Sequence, residues 1–294
     1  MPLRVKSPVN SNFGQRKLNE KKLTLIEQLS HSTVRIETDY PDGKRGTGTG
    51  FFYRFAINGD QFVPAIVTNR HVVEGASKGR FLLTLQDANG MRDHGRHEAF
   101  ELDSFDSRWI RHPDPSVDLA AMPIAPLHRY ADSKGIKFFY IGLDDSLLPT
   151  SKDLDDFVGL ESITMVGYPN GLWDQTNNLP IFRRGVLASA YDKDWNGKKE
   201  FLIDAACFPG SSGSPVLVCD AGSYSTRQAI VMGSRLKLLG VLYAGPQHTV
   251  EGEVRVVNIP VHQKAITLSG IPNNLGIVLK AELIQDFHAI FRQK

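Results

Sequence analysis

Asp204-Ala205-Ala206-Cys207-Phe208-Pro209-Gly210-Ser211-Ser212-Gly213-Ser214-Pro215 is the stretch that decides how this 294-residue chain is read. Ser212 stands two positions after Gly210 and directly before Gly213, among small residues. That spacing lets the backbone N–H groups of Gly210 and Ser212 converge beside a hydroxyl, which is what a developing tetrahedral oxyanion requires. A serine hydroxyl is a poor nucleophile at neutral pH. It needs a base, and the base needs a carboxylate to fix its tautomer and stabilise the imidazolium.

Two upstream segments carry those residue types. Ala65-Ile66-Val67-Thr68-Asn69-Arg70-His71-Val72-Val73 runs an apolar, β-branched strand into His71. In His112-Pro113-Asp114-Pro115-Ser116-Val117-Asp118-Leu119-Ala120-Ala121-Met122-Pro123-Ile124, Asp118 opens a short apolar strand. His71, Asp118 and Ser212 therefore read as base, orienting acid and nucleophile. Plainer readings stand beside each. Ser212 could be a turn serine, since Ser and Gly are common in turns, and His71 a hydrogen-bonded core histidine. Ser211 and Ser214 are rival nucleophiles, but only Ser212 is two residues past Gly210. Asp114 competes with Asp118 and reads better as a turn residue between prolines. His31, His94, His97, His112 and His128 lie in poorer contexts. Asp204 reads as structural, with a charge at a pocket rim as the alternative.

These segments resemble the chymotrypsin-fold serine peptidases, most closely the bacterial Htr/Deg type. The resemblance lies in Thr68 to Val73, Asp118-Leu119-Ala120, Asp204 to Gly213, and the turn Gly167-Tyr168-Pro169-Asn170-Gly171-Leu172. It covers roughly residues 30 to 290. It implies an all-β fold of two six-stranded antiparallel Greek-key barrels, with a short N-terminal helix and a C-terminal helix. It implies a catalytic triad of His71, Asp118 and Ser212, and an oxyanion hole of Gly210 and Ser212. The S1 pocket then has its base at Ala206, with Cys207 beside it and walls at Gly245 and Gly276. An uncharged base implies a small to medium apolar P1 residue. Two departures matter. Ser214 replaces a frequent glycine. Ser211 replaces the aspartate that pairs with a new N-terminus in secreted trypsin-like enzymes, so no zymogen cleavage of that type is implied. The segment after Ser212 is taken up by the second barrel, and no PDZ domain is expected.

Bulk properties exclude other classes. With 41% hydrophobic and 22% charged residues the chain is globular. A net charge of +2 marks no nucleic-acid binder. No run of about 18 apolar residues predicts a membrane span, and Met1 to Ser30 lacks the apolar core of a signal peptide. Two cysteines are too few for a secreted disulfide framework, and Cys207 is not expected to bridge Cys219. A cytoplasmic location is expected. No cofactor or metal is called for, because no Cys/His cluster or phosphate-cradling glycine loop occurs. The expected partner is a polypeptide substrate; the oligomeric state is not written in the sequence.

Residues 1–30 read as a basic arm (Arg4, Lys6, Arg16, Lys17, Lys21, Lys22) leading into an amphipathic helix over Lys17 to Leu29. Residues 31–130 read as the first barrel, with strands at Thr33–Glu37, Gly48–Phe55, Phe62–Thr68 and Arg80–Gln86. Residues 131–160 read as the connection. Residues 161–294 read as the second barrel, with strands at Ser162–Val166, Gly185–Ala190, Glu200–Asp204, Ser214–Val218, Leu238–Ala244 and Glu253–Ile259. A helix over Leu279 to Phe291 closes it, with Leu279, Leu283, Ile284, Phe287 and Ile290 on one face. Cys207 could narrow the pocket or sensitise it to thiol oxidation, against the plainer reading of a small buried hydrophobe. Three other functions compete. An α/β-hydrolase esterase wants Gly-x-Ser-x-Gly with Asp and His after the serine, and both conditions fail. A chymotrypsin-fold protein inactive at rest would act as a binding module or await a partner. The basic arm could contact nucleic acid, although such runs are usually solvated.

Overall fold

The computed structural model describes residues 23–58, 61–245, 247–253, 266–272 and 274–292. Seven strands build the first half: Thr33–Asp39 (β1), Arg45–Asn58 (β2), Gln61–Thr68 (β3), Lys78–Gln86 (β4), Arg92–Asp103 (β5), Ile110–Arg111 (β6) and Ala120–Pro123 (β7). They form one antiparallel sheet in the order β5-β4-β1-β2-β3-β7-β6. The second half continues with Ser162–Gly167 (β8), Ile181–Leu187 (β9), Glu200–Asp204 (β10), Pro215–Asp220 (β11), Ser223–Ser225 (β12), Ile230–Met232 (β13), Arg235–Ala244 (β14), Gln247–Glu253 (β15), Ile266–Pro272 (β16) and Leu275–Lys280 (β17). Six of these close a barrel, β10-β17-β14-β11-β8-β9, while β12–β13 and β15–β16 are separate hairpins. The protein is mostly β, consistent with a chymotrypsin-like pair of barrels. The first half differs from a six-stranded barrel in its ladder. Among the described residues it has seven strands, and pairing ends at β5 and at the two-residue β6.

The period-two rule of strands sorts the core. Phe51, Tyr53 and Phe55 of β2 and Ala65 and Val67 of β3 face one cluster, whereas Phe52 and Ile66 face another. In the barrel, Leu217 and Leu238 join the first of these clusters, and Val216, Val218, Leu239 and Val278 fill the barrel interior. One core thus runs between the two halves, and the candidate site lies along this junction.

Several elements differ from the sequence reading: β9 spans Ile181–Leu187 where Gly185–Ala190 is expected, the short strands β6, β12 and β13 are additional, and β5 and both terminal helices depart as follows. β5 was unexpected because Arg92-Asp93-His94-Gly95-Arg96 is polar; its pairing with β4 supplies the order. Leu279 belongs to β17, paired with Val241 and Glu200, so the terminal helix starts later. Ala281–Asp286 is a 3-10 turn and Phe287–Arg292 the α-helix, with Phe287 and Phe291 packed on Phe55. Near the N-terminus an α-helix spans Leu25–Leu29, started by a Thr24–Glu27 capping box. The first six residues of the helix expected from Lys17 and all six basic residues of the arm fall outside the described residues, as does most of the strand expected at Glu253–Ile259. The connecting segment contains helices at Ala125–Ser133 and Ser151–Asp156. Among the described residues no helix is long and apolar enough to cross a membrane.

Candidate active site

β3 carries Ile66-Val67-Thr68 through the core, and at Asn69 the chain turns into one helical turn, Arg70–Val73. His71 is thereby lifted to the surface end of a rigid strand, half-exposed. Asp118 lies just before β7. Its carbonyl accepts from Asn69 Nδ2 at 2.9 Å and from the Arg70 N–H at 3.4 Å. Its carboxylate then grips His71 twice: Oδ1 takes the backbone N–H at 2.9 Å, and Oδ2 lies 2.5 Å from Nδ1. A neutral His71 therefore keeps its proton on Nδ1 and offers Nε2 as an acceptor. The rival Asp114 is spent on a turn, accepting from the Ser116 N–H and hydroxyl at 2.8 and 2.7 Å. Those bonds hold its carboxyl below the usual range.

The segment between β10 and β11 bends at Gly210 (φ +85°) and Gly213 (φ +88°), left-handed conformations that favour glycine. A Cβ on Gly213 would sit 1.9 Å from the Thr49 carbonyl and 2.5 Å from Thr68 Oγ1. The Thr49 N–H donates to the Ser212 carbonyl at 2.8 Å, and Thr68 Oγ1 donates to the Thr49 carbonyl at 2.6 Å. His71 follows Thr68 by three residues. The structure thus joins His71 and Asp118 directly and brings Ser212 alongside their strand through Thr49. The Ser212 hydroxyl bonds to no partner among the described residues.

Neither the Gly210 nor the Ser212 N–H has an acceptor among the described residues, whereas the carbonyls across their peptide planes are engaged. The Pro209 carbonyl accepts from the Asn170 N–H at 2.6 Å, and the Ser211 carbonyl from the Ser214 N–H at 3.0 Å. In a trans peptide the N–H points opposite to the C=O, so both N–H groups face away from these partners. Ser211 and Ser214, the rival serines, are buried, with relative exposures of 1% and 0%. Ser214 fits because Gly167 has no side chain; a Cβ there would meet its Oγ at 2.1 Å.

Three of the four expected pocket residues meet. A Cβ on Gly276 would lie 2.7 Å from Cys207 Sγ, and one on Gly245 would lie 3.5 Å from Cys207 Cβ. Ala206 is half-buried beside them. Burial pushes the Cys207 thiol up to about 11, which suits a packing role rather than a reactive one. Cys207 and Cys219 are both free and buried. Asp204 is exposed, and the Arg183 guanidinium lies 4.9 Å over the Phe208 ring. Among the described residues no three His, Cys, Asp or Glu side chains are placed to hold a metal.

Sequence reasoning missed Thr49, and it singled out the turn containing Asn170 without the bond of its N–H to the Pro209 carbonyl. Its one available signal for Thr49 was the alternation Gly46-Thr47-Gly48-Thr49-Gly50. A Cβ at Gly48 would strike Val72 at 2.3 Å and one at Gly50 would strike Ile66 at 2.6 Å, so the alternation marks a strand pressed against the β3 region.

The family model described as trypsin-like peptidase domain matches residues 48–223, more than half of the chain and inclusive of His71, Asp118 and Ser212. No curated protein matches. Among solved structures, the chain is similar to "HtrA-type protease AlgW with tripeptide", with 14% identity and TM-score 0.47 over 91% of this chain and 62% of that one. It is also similar to Deg5, with 20% identity and TM-score 0.43 over 75% of this chain and 82% of that one. The chain spans under two thirds of the length of the first.

Proposed function

The chain belongs to the trypsin-like peptidase domain family, and on that premise we propose that it is a serine endopeptidase working through an acyl-enzyme. Ser212 Oγ attacks a peptide carbonyl while His71 Nε2 takes its proton. The Gly210 and Ser212 N–H groups receive the developing oxyanion, each worth about 3 kcal/mol in comparable sites. Asp118 keeps His71 in its tautomer and stabilises the imidazolium. His71 returns the proton to the leaving amine, and water then releases the acyl group from Ser212. One observation carries this reading above the rest: the 2.5 Å contact of His71 Nδ1 with Asp118, one strand away from a serine flanked by two unspent N–H donors.

Specificity follows from a pocket of Ala206, Cys207, Gly245 and Gly276 that holds no charge, so the enzyme accepts small to medium apolar P1 side chains. In the rival reading of a site collapsed at rest, the Pro209 carbonyl would turn onto the Ser212 N–H. Its bond to Asn170 supports the open form. Quenched fluorogenic peptides varied at P1 test the proposal. Turnover is expected with Ala, Val or Leu at P1 and is lost in Ser212→Ala and His71→Ala. Hydrolysis surviving in Ser212→Ala, or selection of Lys or Arg at P1, would sink it.

A further inference from the structure

In an enzyme of this architecture the oxyanion loop must be held against collapse, and the residue before the nucleophile, Ser211, carries no charge with which to do it. Its hydroxyl is buried and without a hydrogen-bond partner among the described residues. We infer that Thr49 does this work: its hydroxyl is the positioning group that keeps the Gly210 and Ser212 N–H donors aimed at the substrate. This rests on the reading of Ser212 as nucleophile.

Thr49 is fully buried (relative exposure 0%), and every polar atom it has is spent on the site. Its N–H holds the Ser212 carbonyl and its C=O takes the Thr68 hydroxyl. Its Oγ1 donates to the Gly210 carbonyl at 2.9 Å and accepts from the Tyr168 N–H at 3.1 Å. That single hydroxyl ties two pieces of backbone together. One is the oxyanion loop. The other is the turn from Tyr168 to Gly171, where Asn170 holds φ +52° and the Gly171 N–H closes on the Tyr168 carbonyl at 2.9 Å. From this turn the Asn170 N–H reaches the Pro209 carbonyl.

Collapse of the loop means swinging the Pro209 carbonyl toward Ser212, which requires giving up Asn170 and rotating the Gly210 peptide. Thr49 opposes both motions, because it fixes the turn that presents Asn170 and the carbonyl that follows Gly210. The fit is close: a Cβ on Gly210 would meet the Tyr168 carbonyl at 2.6 Å and Thr47 Oγ1 at 3.2 Å. A buried hydroxyl that both donates and accepts is also costly to lose, since a methyl in its place leaves two backbone groups unpaired. The loop is therefore open in the resting chain, with neither a cleaved N-terminus nor a partner needed to form it.

The test compares Thr49→Val, which keeps β-branching and removes the hydroxyl, with Thr49→Ser, which keeps the hydroxyl. The full chain is assayed on a cleaved fluorogenic peptide, with affinity for a peptide aldehyde that forms a tetrahedral adduct and with thermal unfolding. Thr49→Val is expected to lower kcat by roughly ten- to a hundredfold, short of deleting a donor outright, with KM within about twofold because ground-state binding is untouched. Aldehyde affinity should weaken in step with kcat. Thr49→Ser should recover most of both. If Thr49→Val does not fold, Thr49→Ala against Thr49→Ser carries the same comparison. Wild-type kcat and aldehyde affinity in Thr49→Val, or a serine variant as slow as the valine one, overturns the role of the hydroxyl while leaving the peptidase reading intact. A folded wild type that neither cleaves peptides nor binds the aldehyde overturns both.

Discussion

The two halves of the site are built from different materials. The histidine half is held by charge and side chains: Asp118 grips His71 through both carboxylate oxygens. The serine half is held through its own backbone: the carbonyls of Pro209, Ser211 and Ser212 take backbone N–H groups, that of Gly210 takes the Thr49 hydroxyl, and two glycines adopt left-handed conformations. The difference teaches where each half is vulnerable. Changing a side chain in the first half damages chemistry and spares the fold, because the strand ends that carry His71 and Asp118 are anchored in the core. Adding a single carbon in the second half damages both, because the loop has no room.

The largest expected effect belongs to the first half. Asp118→Asn leaves the packing in place but offers His71 the wrong hydrogen-bond partner, and kcat should fall by about 10⁴-fold with thermal stability nearly unchanged. A large loss of stability in that variant would break the comparison. In the second half, Gly213→Ala drives a Cβ into the Thr49 carbonyl at a left-handed φ. It should lose activity and also unfold more easily, by roughly 1–3 kcal/mol of backbone strain, read by denaturant titration. An alanine variant with wild-type stability would show that the loop is looser than its contacts indicate.

A third variant separates fold from chemistry within the serine half. Arg235 pairs with Glu161 at 2.7 Å and Asp220 at 2.9 Å, in a buried cluster on the barrel. Arg235→Met leaves the buried Glu161 carboxylate with the Val158 N–H at 2.8 Å but no countercharge and should cost about 3–5 kcal/mol of stability, while kcat of the folded fraction stays constant. The smallest effect concerns Cys207. With its thiol pushed up to about 11 by burial, the thiolate fraction at pH 8 is about one thousandth. Iodoacetamide at that pH should leave peptide hydrolysis unchanged over an hour. Rapid inactivation that Cys207→Ala abolishes would make the pocket wall reactive rather than packed.

The same division explains what was legible in the sequence. His71 could be read because a β-branched run feeds it, and Asp118 because an apolar strand follows it; both signals are local. Gly210 and Gly213 could be read because the backbone there has a shape that few other residues take. Thr49 could not, since its importance comes from meeting Tyr168, Gly210 and Ser212 across the core, and a threonine in a strand is unremarked by propensity. β5 escaped for a related reason: a polar strand is ordered by its neighbour, not by its own pattern. The terminal helix was extended too far because Leu279 fits a helical stripe equally well, until its pairing with Val241 and Glu200 decides for the strand.

The central claim is that Ser212 is a competent nucleophile in the resting chain, and labelling tests it most directly. Purified protein, without any partner, is treated with a fluorophosphonate probe and the modified residue is located by mass spectrometry. The account predicts one adduct, on Ser212, absent in His71→Ala. A folded protein that takes no label, or takes it on Ser211 or Ser214, would contradict it.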